Sequence, residues 1–204
     1  MMPRPVRVVG DLSGLPGSQH GARHLVWWGN LGFMVIEGTG FVLAIGVYLY
    51  VRSLGHVWPP PGDAPPDLLW SAVFTAGLLL SELPNWWVHR QAHFRRAAET
   101  RRGVLMMTLI GLALIAVRWF ALQHLNVRWD HDAYGSVLWM LMVLHTIHIV
   151  TDVGDTGVQA LWLYTHVIGE DQFEDVIDNA NYWTFVVVAW LPIYVLLYWL
   201  PRWA

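Results

Sequence analysis

Cysteine is absent from the sequence, and lysine is absent too, since all 12 basic residues are arginine. Without cysteine there are no disulfides, thiolate metal sites, iron–sulfur clusters or cysteine nucleophiles. Charge is also scarce: only 13% of the 204 residues are charged, whereas 55% are hydrophobic and 14 are tryptophan. This balance is typical of an integral membrane protein. We find no nucleophile or phosphate-binding motif, and no basic surface that would indicate a nucleic-acid partner.

Five stretches are long and apolar enough to cross a bilayer. A transmembrane helix needs about 20 mostly apolar residues to cross roughly 30 Å of hydrocarbon. The stretches that meet this condition are 27–51, 68–88, 103–125, 133–153 and 182–201. There is no internal repeat and no sign of a second domain. Residues 1–204 are therefore predicted to form a single all-α bundle of five transmembrane helices.

The segments between the spans are rich in proline or in charge, and we expect them to be loops. They are the proline-rich 56–67, the basic 89–102, the short 126–132 and the acidic 169–178. Arginine placement predicts the orientation, because a cytoplasmic N-terminus puts eight arginines inside and three outside. The eight are Arg4, Arg7, Arg23, Arg90, Arg95, Arg96, Arg101 and Arg102. The first 26 residues lack the apolar core of a signal peptide, so we expect a polar cytoplasmic lead-in.

Ionisable side chains within the spans are the first candidates for function: Glu37, Glu82, Arg118, His145 and His148. Such groups are costly in hydrocarbon and tend to face the bundle interior or a cavity. At 1.5 Å per residue, Glu37 lies about 15 Å and His145 roughly 12 Å from the inner face. We therefore hypothesise a buried contact between Glu37 and His145. Arg118 lies near the outer side and Glu82 near the inner side, so these two are not expected to pair.

The histidines also raise the possibility of a metal or haem site. His145 and His148 share a helix face, as do His89 and His93. Membrane di-iron oxygenases use paired histidines of this kind, but their clusters need many more converging histidines. A bis-histidine haem site needs ligands at matched depth on facing helices, and only the fourth span carries histidine well inside it. Buried, hydrogen-bonded histidines without a metal are therefore the favoured interpretation, and the di-iron site is the alternative.

Three further polar features need an interpretation. Arg118 fits an anchor for a lipid phosphate, a salt-bridge partner or a snorkelling side chain. Glu82 precedes Pro84, and backbone groups freed at a proline kink would satisfy its carboxylate. The basic residues at 89–102 favour a loop that faces anionic lipid.

Four stretches carry more specific patterns. The first span, WGNLGFMVIEGTGFVLAIGVYLYVR (28–52), places Glu37 between an apolar turn and an aromatic, small-residue run. The third span begins with two arginines and ends in an aromatic–Leu–Gln pattern at Gln123. The fourth, YGSVLWMLMVLHTIHI (134–149), joins Tyr-Gly-Ser to His-x-x-His, and the last opens with YWTFVVVAW (182–190).

Over nearly the whole chain these patterns resemble subunit III of haem–copper respiratory oxidases, in a short five-helix form. The signature residues are Gln123, Tyr134, Gly135, Ser136, Tyr182, Trp183, Phe185 and Trp190. The chain departs from the family pattern at Thr184, where a histidine is usual, and at Val187, where an aspartate is usual. Asp152 is not explained by the family pattern. The departures indicate a divergent branch.

The resemblance implies an accessory, non-catalytic subunit of a bacterial inner-membrane oxidase. It would carry no haem or copper of its own, since these belong to the partner subunits I and II. It would bind phospholipids and support proton uptake, with Glu37, Glu82, His145 and His148 as the buried polar residues. The candidate lipid-binding residues are Arg23, Arg90, Arg95, Arg96, Arg101, Arg102 and Arg118. The alternatives are an accessory subunit of a nitric oxide reductase, a di-iron oxygenase and, least favoured, a transporter, which usually shows repeat symmetry.

Overall fold

A computed structural model describes residues 25–55 and 57–203, and this part of the chain consists of helices and their connections, without strands. The predicted contact of Arg23 with lipid lies outside the described residues. The helices are α1 (Leu25–Ser53), α2 (Leu68–Leu80), α3 (Glu82–His93), α4 (Ala97–Gln123), α5 (Ala133–Thr165) and α6 (Glu170–Tyr194). A π-helical turn, Val195–Trp199, joins α6 to the short α7 (Leu200–Trp203).

Four helical segments are long and apolar enough to cross a membrane. They are Val26–Ser53, Ala97–Gln123, Ala133–Thr165 and Glu170–Trp203. The last of these combines α6, the π-helical turn and α7. The prediction of an all-helical, multi-pass membrane bundle is confirmed, whereas the cytoplasmic N-terminus stays a prediction.

The second predicted span consists of two consecutive helices, α2 and α3, of 13 and 12 residues. Ser81 between them keeps helical dihedral angles, φ −65° and ψ −18°, and its N–H donates to the carbonyl of Gly77. The interruption follows from Pro84, which lacks the N–H that would donate to the carbonyl of Leu80. Residues 68–93 together extend about 39 Å at 1.5 Å per residue, which is enough to cross the hydrocarbon core.

Two segments that we expected to be loops are largely helical. Because α3 continues to His93 and α4 begins at Ala97, the basic connection is reduced to residues 94–96. The acidic segment forms the first turns of α6, with Glu170 and Asp171 in the first turn. Charge does not interrupt a helix as proline does, and carboxylates are favourable near a helix N-terminus. The proline-rich segment 57–67 and the short segment 126–132 contain no helix, as predicted, and α4 ends two residues before the predicted end of the third span.

Helix α5 lies at the centre of the bundle and packs against α1, α4 and α6. Helix α3 packs against α4 and α6, and α2 packs against α4. The outer helix α1 buries one narrow face, which includes Phe41, Ala44 and Tyr48. Since α1 covers only part of α5 and α6, a groove remains between these three helices.

The close approach of α4 and α5 depends on Gly111. A Cβ atom at this position would lie 2.4 Å from Cγ2 of Val153 on α5. Small residues at such contacts let helix backbones approach and gain van der Waals packing in a membrane.

Replacement of Gly111 by alanine is expected to destabilise the bundle by about 1–3 kcal/mol, because the added methyl group forces packed helices apart. The measurement is thermal unfolding in mild detergent, followed by circular dichroism. Gly40→Ala is the matched control, since its Cβ would have nothing within 4 Å. Adding Val153→Ala to Gly111→Ala should restore stability, and equal effects of Gly111→Ala and Gly40→Ala would contradict the prediction.

Candidate functional site

A buried arginine lies at the centre of the bundle. The guanidinium of Arg118, on α4, lies between the rings of Phe74 and Trp190, with its central carbon 3.9 Å and 4.0 Å from the ring centroids. Its Nη2 lies 2.7 Å from Nδ1 of His145, and its Nη1 lies 3.7 Å from the sulfur of Met142. Only 1% of Arg118 is exposed. The interpretation of Arg118 as a lipid-phosphate anchor is therefore wrong, because its charge is held by aromatic faces inside the bundle.

The hydrogen bonds of His145 assign its tautomer. The arginine can only donate, so Nδ1 of His145 accepts from Arg118. Nε2 then carries the hydrogen and donates to the carbonyl of Val186 at 3.1 Å. Both ring nitrogens are therefore occupied by protein groups. The hypothesised contact of His145 with Glu37 is wrong, since the two ring nitrogens of His145 contact Arg118 and the carbonyl of Val186 instead.

Glu37 contacts the next histidine along the same helix. Its Oε1 lies 3.3 Å from Nε2 of His148, and its Oε2 accepts from the hydroxyl of Tyr182 at 2.6 Å. The structure therefore joins α1, α5 and α6 through one carboxylate. The depths calculated from the sequence paired Glu37 with His145, which is three residues, or about 4.5 Å, away from the correct partner His148. Helices that cross at an angle do not keep residues of equal calculated depth side by side.

The second ring nitrogen of His148 is held by its own helix. Nδ1 of His148 lies 2.6 Å from the carbonyl oxygen of Leu144, which only accepts, so Nδ1 carries a hydrogen. Nε2 of His148 is therefore the nitrogen that faces Oε1 of Glu37, and this contact is an ion pair when the imidazole is protonated.

Asp152 lies one helical turn beyond His148 and is 3% exposed. Its Oδ1 accepts from the side-chain amide of Asn179 at 3.3 Å. The carbonyl oxygen of the same amide accepts from Thr156 at 3.1 Å. Oδ2 of Asp152 receives no hydrogen bond from any residue between 25 and 203 that the structure describes. Asp152 is therefore a buried carboxylate with one free oxygen.

These groups line a groove between α1, α5 and α6, with a cavity volume of about 940 Å³. We call it the acidic groove. Its carboxylates are Glu37, Asp152, Asp155, Asp175 and Asp178. Its apolar wall includes Val26, Phe33, Ile147, Val158, Trp162 and Leu163.

Sequence reasoning missed the groove because the acidic segment was expected to be a loop. Once residues 170–194 form a helix, Asp175, Asp178, Asn179 and Tyr182 have the spacing of one helix face. This spacing in the sequence would have indicated that the four side chains lie on one face of the helix. The same face places Tyr182 against Glu37.

Glu82 takes its hydrogen bond from a side chain and not from freed backbone, contrary to our expectation, and its Oε1 has no partner among the described residues. The hydroxyl of Thr184 donates to its Oε2 at 3.0 Å. Asn85 donates to the same threonine at 3.2 Å and to the carbonyl of Ala180 at 2.9 Å. Thr184, one of the departures from the family pattern, thus connects α3 to α6. The other departure, Val187, is buried among apolar side chains.

The tryptophans of the last signature connect α6 to the second span. The indole N–H of Trp183 donates to Ser81 at 2.9 Å, and that of Trp190 donates to Thr75 at 2.8 Å. Each buried hydroxyl thereby gains a donor. Gln123, at the end of α4, is exposed.

The Tyr-Gly-Ser signature builds the start of α5. Tyr134 is buried and packs edge-on against Trp58, with centroids 4.8 Å apart. At Gly135 a Cβ atom would lie 2.0 Å from the carbonyl oxygen of Arg128, so this contact requires glycine. The hydroxyl of Ser136 donates to the carbonyl of Trp129 at 2.7 Å, in the loop that precedes the helix.

The arginines near the connection of α3 and α4 have different partners. Arg95 forms a salt bridge with Glu170, and Arg101 donates to the carbonyl of His166 at 2.9 Å. Arg96 donates to Gln91 at 3.3 Å. Arg90 and Arg102 are exposed. Two of these arginines therefore tie this connection to the α5–α6 connection.

One group of possible metal ligands is found in the loops, among the described residues. The ligand atoms of Asp63, His131 and Asp132 all lie within 4.8 Å of one another. A hydrogen bond with Asp132 raises the pKa of Asp63, and partial burial and the charge of Asp132 act in the same direction. The pKa of Asp132 is lowered in the same pair, so Asp63 is the carboxyl group that keeps its proton to higher pH.

Together these contacts define a class: a multi-pass, all-helical membrane protein whose polar groups connect its helices. A sequence model of the family "Cytochrome c oxidase subunit III" matches residues 29–203. The chain therefore belongs to the cytochrome c oxidase subunit III family. The resemblance found in the sequence is confirmed.

Individual relatives are distant in sequence. The chain is 24% identical to cytochrome c oxidase subunit 3 of Drosophila melanogaster, over 84% of this chain and 68% of that protein. It is 24% identical to the Yarrowia lipolytica protein of the same name, over 83% and 67%. With the Pongo pygmaeus protein of that name it shares 29% identity over 72% and 57%. The chain spans about two thirds or less of the length of these relatives.

Replacement of Arg118 by leucine is expected to destabilise the bundle by about 2–4 kcal/mol, because it leaves the Nδ1 acceptor of His145 without a donor and removes the guanidinium from between two rings. Thermal unfolding in detergent measures the effect. Arg102→Leu, at an exposed position of the same helix, is the control. A stability equal to that of the control would contradict the central role of Arg118.

The Asp63–Asp132 pair predicts a pH dependence of stability. Folding raises the pKa of Asp63, so the protonated carboxyl group of Asp63 stabilises the folded state. This stabilisation is complete at a pH below the ordinary carboxyl pKa of about 4, and it is lost as the pH rises through the raised pKa. Asp63→Asn mimics the protonated carboxyl and should remove this dependence. Unfolding temperatures of both proteins across the acidic range check the prediction, and parallel profiles would contradict it.

Proposed function

We propose that this chain is the accessory subunit III of a haem–copper terminal oxidase in a bacterial inner membrane. The family match over residues 29–203 carries this proposal. In the complex the chain packs against subunits I and II, which hold the haem and copper. It stabilises the catalytic subunit during aerobic electron transport and performs no redox step itself.

The contacts of the histidines in the spans support a subunit without its own cofactor. Both nitrogens of His145 and Nδ1 of His148 are engaged by protein groups. Among the described residues, the histidines of α3 and α5 do not converge into a group of three ligands. A histidine-box di-iron site needs such convergence, so the geometry favours the accessory role over an oxygenase.

Phospholipid binding is part of the proposed role. Arg90 and Arg102 lie exposed beside the α3–α4 connection, where guanidinium groups can meet lipid phosphates. Arg95 and Arg101 also belong to this basic surface, although each contacts the α5–α6 connection. Arg118 is no longer a candidate, because it is buried in the bundle.

Support of proton uptake is the second part of the role. The contact of Glu37 with His148 lies at the acidic groove, whose carboxylates can collect protons near the membrane surface. We propose that this end of the subunit raises the local proton supply for the catalytic subunit.

Purification of the tagged chain in mild detergent tests the accessory role. We expect a larger haem-bearing subunit to co-purify, a Soret band in the complex, and oxygen consumption by the complex. The separated chain should show no Soret band and no stoichiometric iron or copper. A homogeneous chain that binds iron and oxidises a lipid or alkane would contradict the proposal, and a complex that reduces nitric oxide would favour the reductase alternative.

A further inference from the structure

We propose that the acidic groove binds an organic cation that carries a hydrocarbon chain, with Asp152 as the counter-ion of the cationic group. The site is formed by α1, α5 and α6 and is separate from the basic surface at the α3–α4 connection. The proposal goes beyond the accessory role and does not depend on it.

The charge of the groove selects a cation. Five carboxylates line it, and His148 is the single basic side chain among its described lining residues. Asn30, Gln159, Gln172 and Asn179 add amide groups to the same lining. An anionic ligand would meet a surface of its own sign, which costs energy where apolar walls strengthen the field.

Asp152 is the observation that points to a ligand. Its side chain lines the groove, is 3% exposed, and leaves Oδ2 without a donor from any described residue. A buried acceptor without a partner is costly, and such groups in native proteins are normally satisfied. An ammonium group offers up to three donors and a positive charge, so it would satisfy Oδ2 and neutralise the carboxylate.

The size and the apolar wall of the groove select the rest of the ligand. A cavity of about 940 Å³ is far larger than a metal ion and falls in the range of small-molecule sites. No three carboxylate or imidazole atoms of the groove lie close enough to form a metal-ligand group among the described residues. Val158, Trp162 and Phe33 provide an apolar surface for a hydrocarbon chain. The chemistry fits an alkylammonium, from either a free hydrophobic amine or an amine-bearing lipid head group.

Binding of octylamine to the full chain in detergent tests this inference. Octanol and octanoate are the neutral and anionic controls with the same chain length. We expect octylamine to raise the unfolding temperature in a saturable manner. Octanol should bind at least about tenfold more weakly, since it lacks the charge-assisted hydrogen bond. Equal binding of octylamine and octanol would overturn the proposal.

Substitutions in the groove test whether octylamine binds there. Asp152→Asn preserves shape and removes the charge, and it should weaken octylamine binding by about tenfold or more. Asp171→Asn is the matched control, since Asp171 is an exposed residue of α6 outside the groove. If Asp152→Asn does not fold, Asp155→Asn replaces it, because Asp155 is at an exposed position of the groove. Its binding of octylamine is then compared with the binding of octylamine, octanol and octanoate by the unsubstituted chain. Unchanged binding in the groove variants, or equal loss in Asp171→Asn, would overturn the proposal.

Two sources of the cation are then separated by native mass spectrometry after incubation with phosphatidylethanolamine or phosphatidylglycerol. Retention of phosphatidylethanolamine that is lost in Asp152→Asn supports a lipid source. Octylamine binding without lipid retention supports a free hydrophobic amine. Stronger retention of phosphatidylglycerol in the groove would overturn the charge selection. The accessory role is tested separately, by the haem spectrum of the purified complex, so the two proposals can fail independently.

Discussion

The guanidinium of Arg118 joins four helices through direct contacts. It extends from α4, lies between Phe74 of α2 and Trp190 of α6, and donates to His145 of α5. A bilayer interior offers no water to a charged group, so such a charge must find its partners inside the bundle. The positions of α2, α5 and α6 around α4 are therefore linked to one side chain. His145 completes this cluster as a neutral acceptor and cannot serve as a metal ligand at the same time.

A second polar layer lies near the middle of α5, at His148, and has a different character. Glu37, His148 and Tyr182 hold α1 against α5 and α6, and α1 has few other buried side chains. The acidic groove begins beside this contact, where Asp152 keeps a free oxygen. Helices α5 and α6 therefore contribute both to the closed cluster around Arg118 and to the open, charged groove. The divergent Thr184 also connects helices, since its hydroxyl donates to Glu82 across the α3–α6 contact.

Much of the fold was predictable because the bilayer imposes simple rules. Apolar runs of sufficient length identified the helices, and proline marked the loop before α2. The predicted ends of the helices were less accurate: α5 continues to Thr165 and α6 begins at Glu170, well outside the apolar runs. Hydropathy records the part of a helix that meets hydrocarbon, whereas the helix itself continues wherever its backbone hydrogen bonds are made.

The sequence by itself determined the class of protein, the number of spans, the family, and the residues that must be satisfied inside the membrane. Only the tertiary structure decided which of them meet: Glu37 contacts His148, and His145 contacts Arg118. Two histidines three residues apart differ by less than one helical turn, and the tilt and rotation of neighbouring helices choose between them. The groove at Asp152 likewise depends on how far α1 covers α5 and α6, which is a property of packing and not of any local pattern.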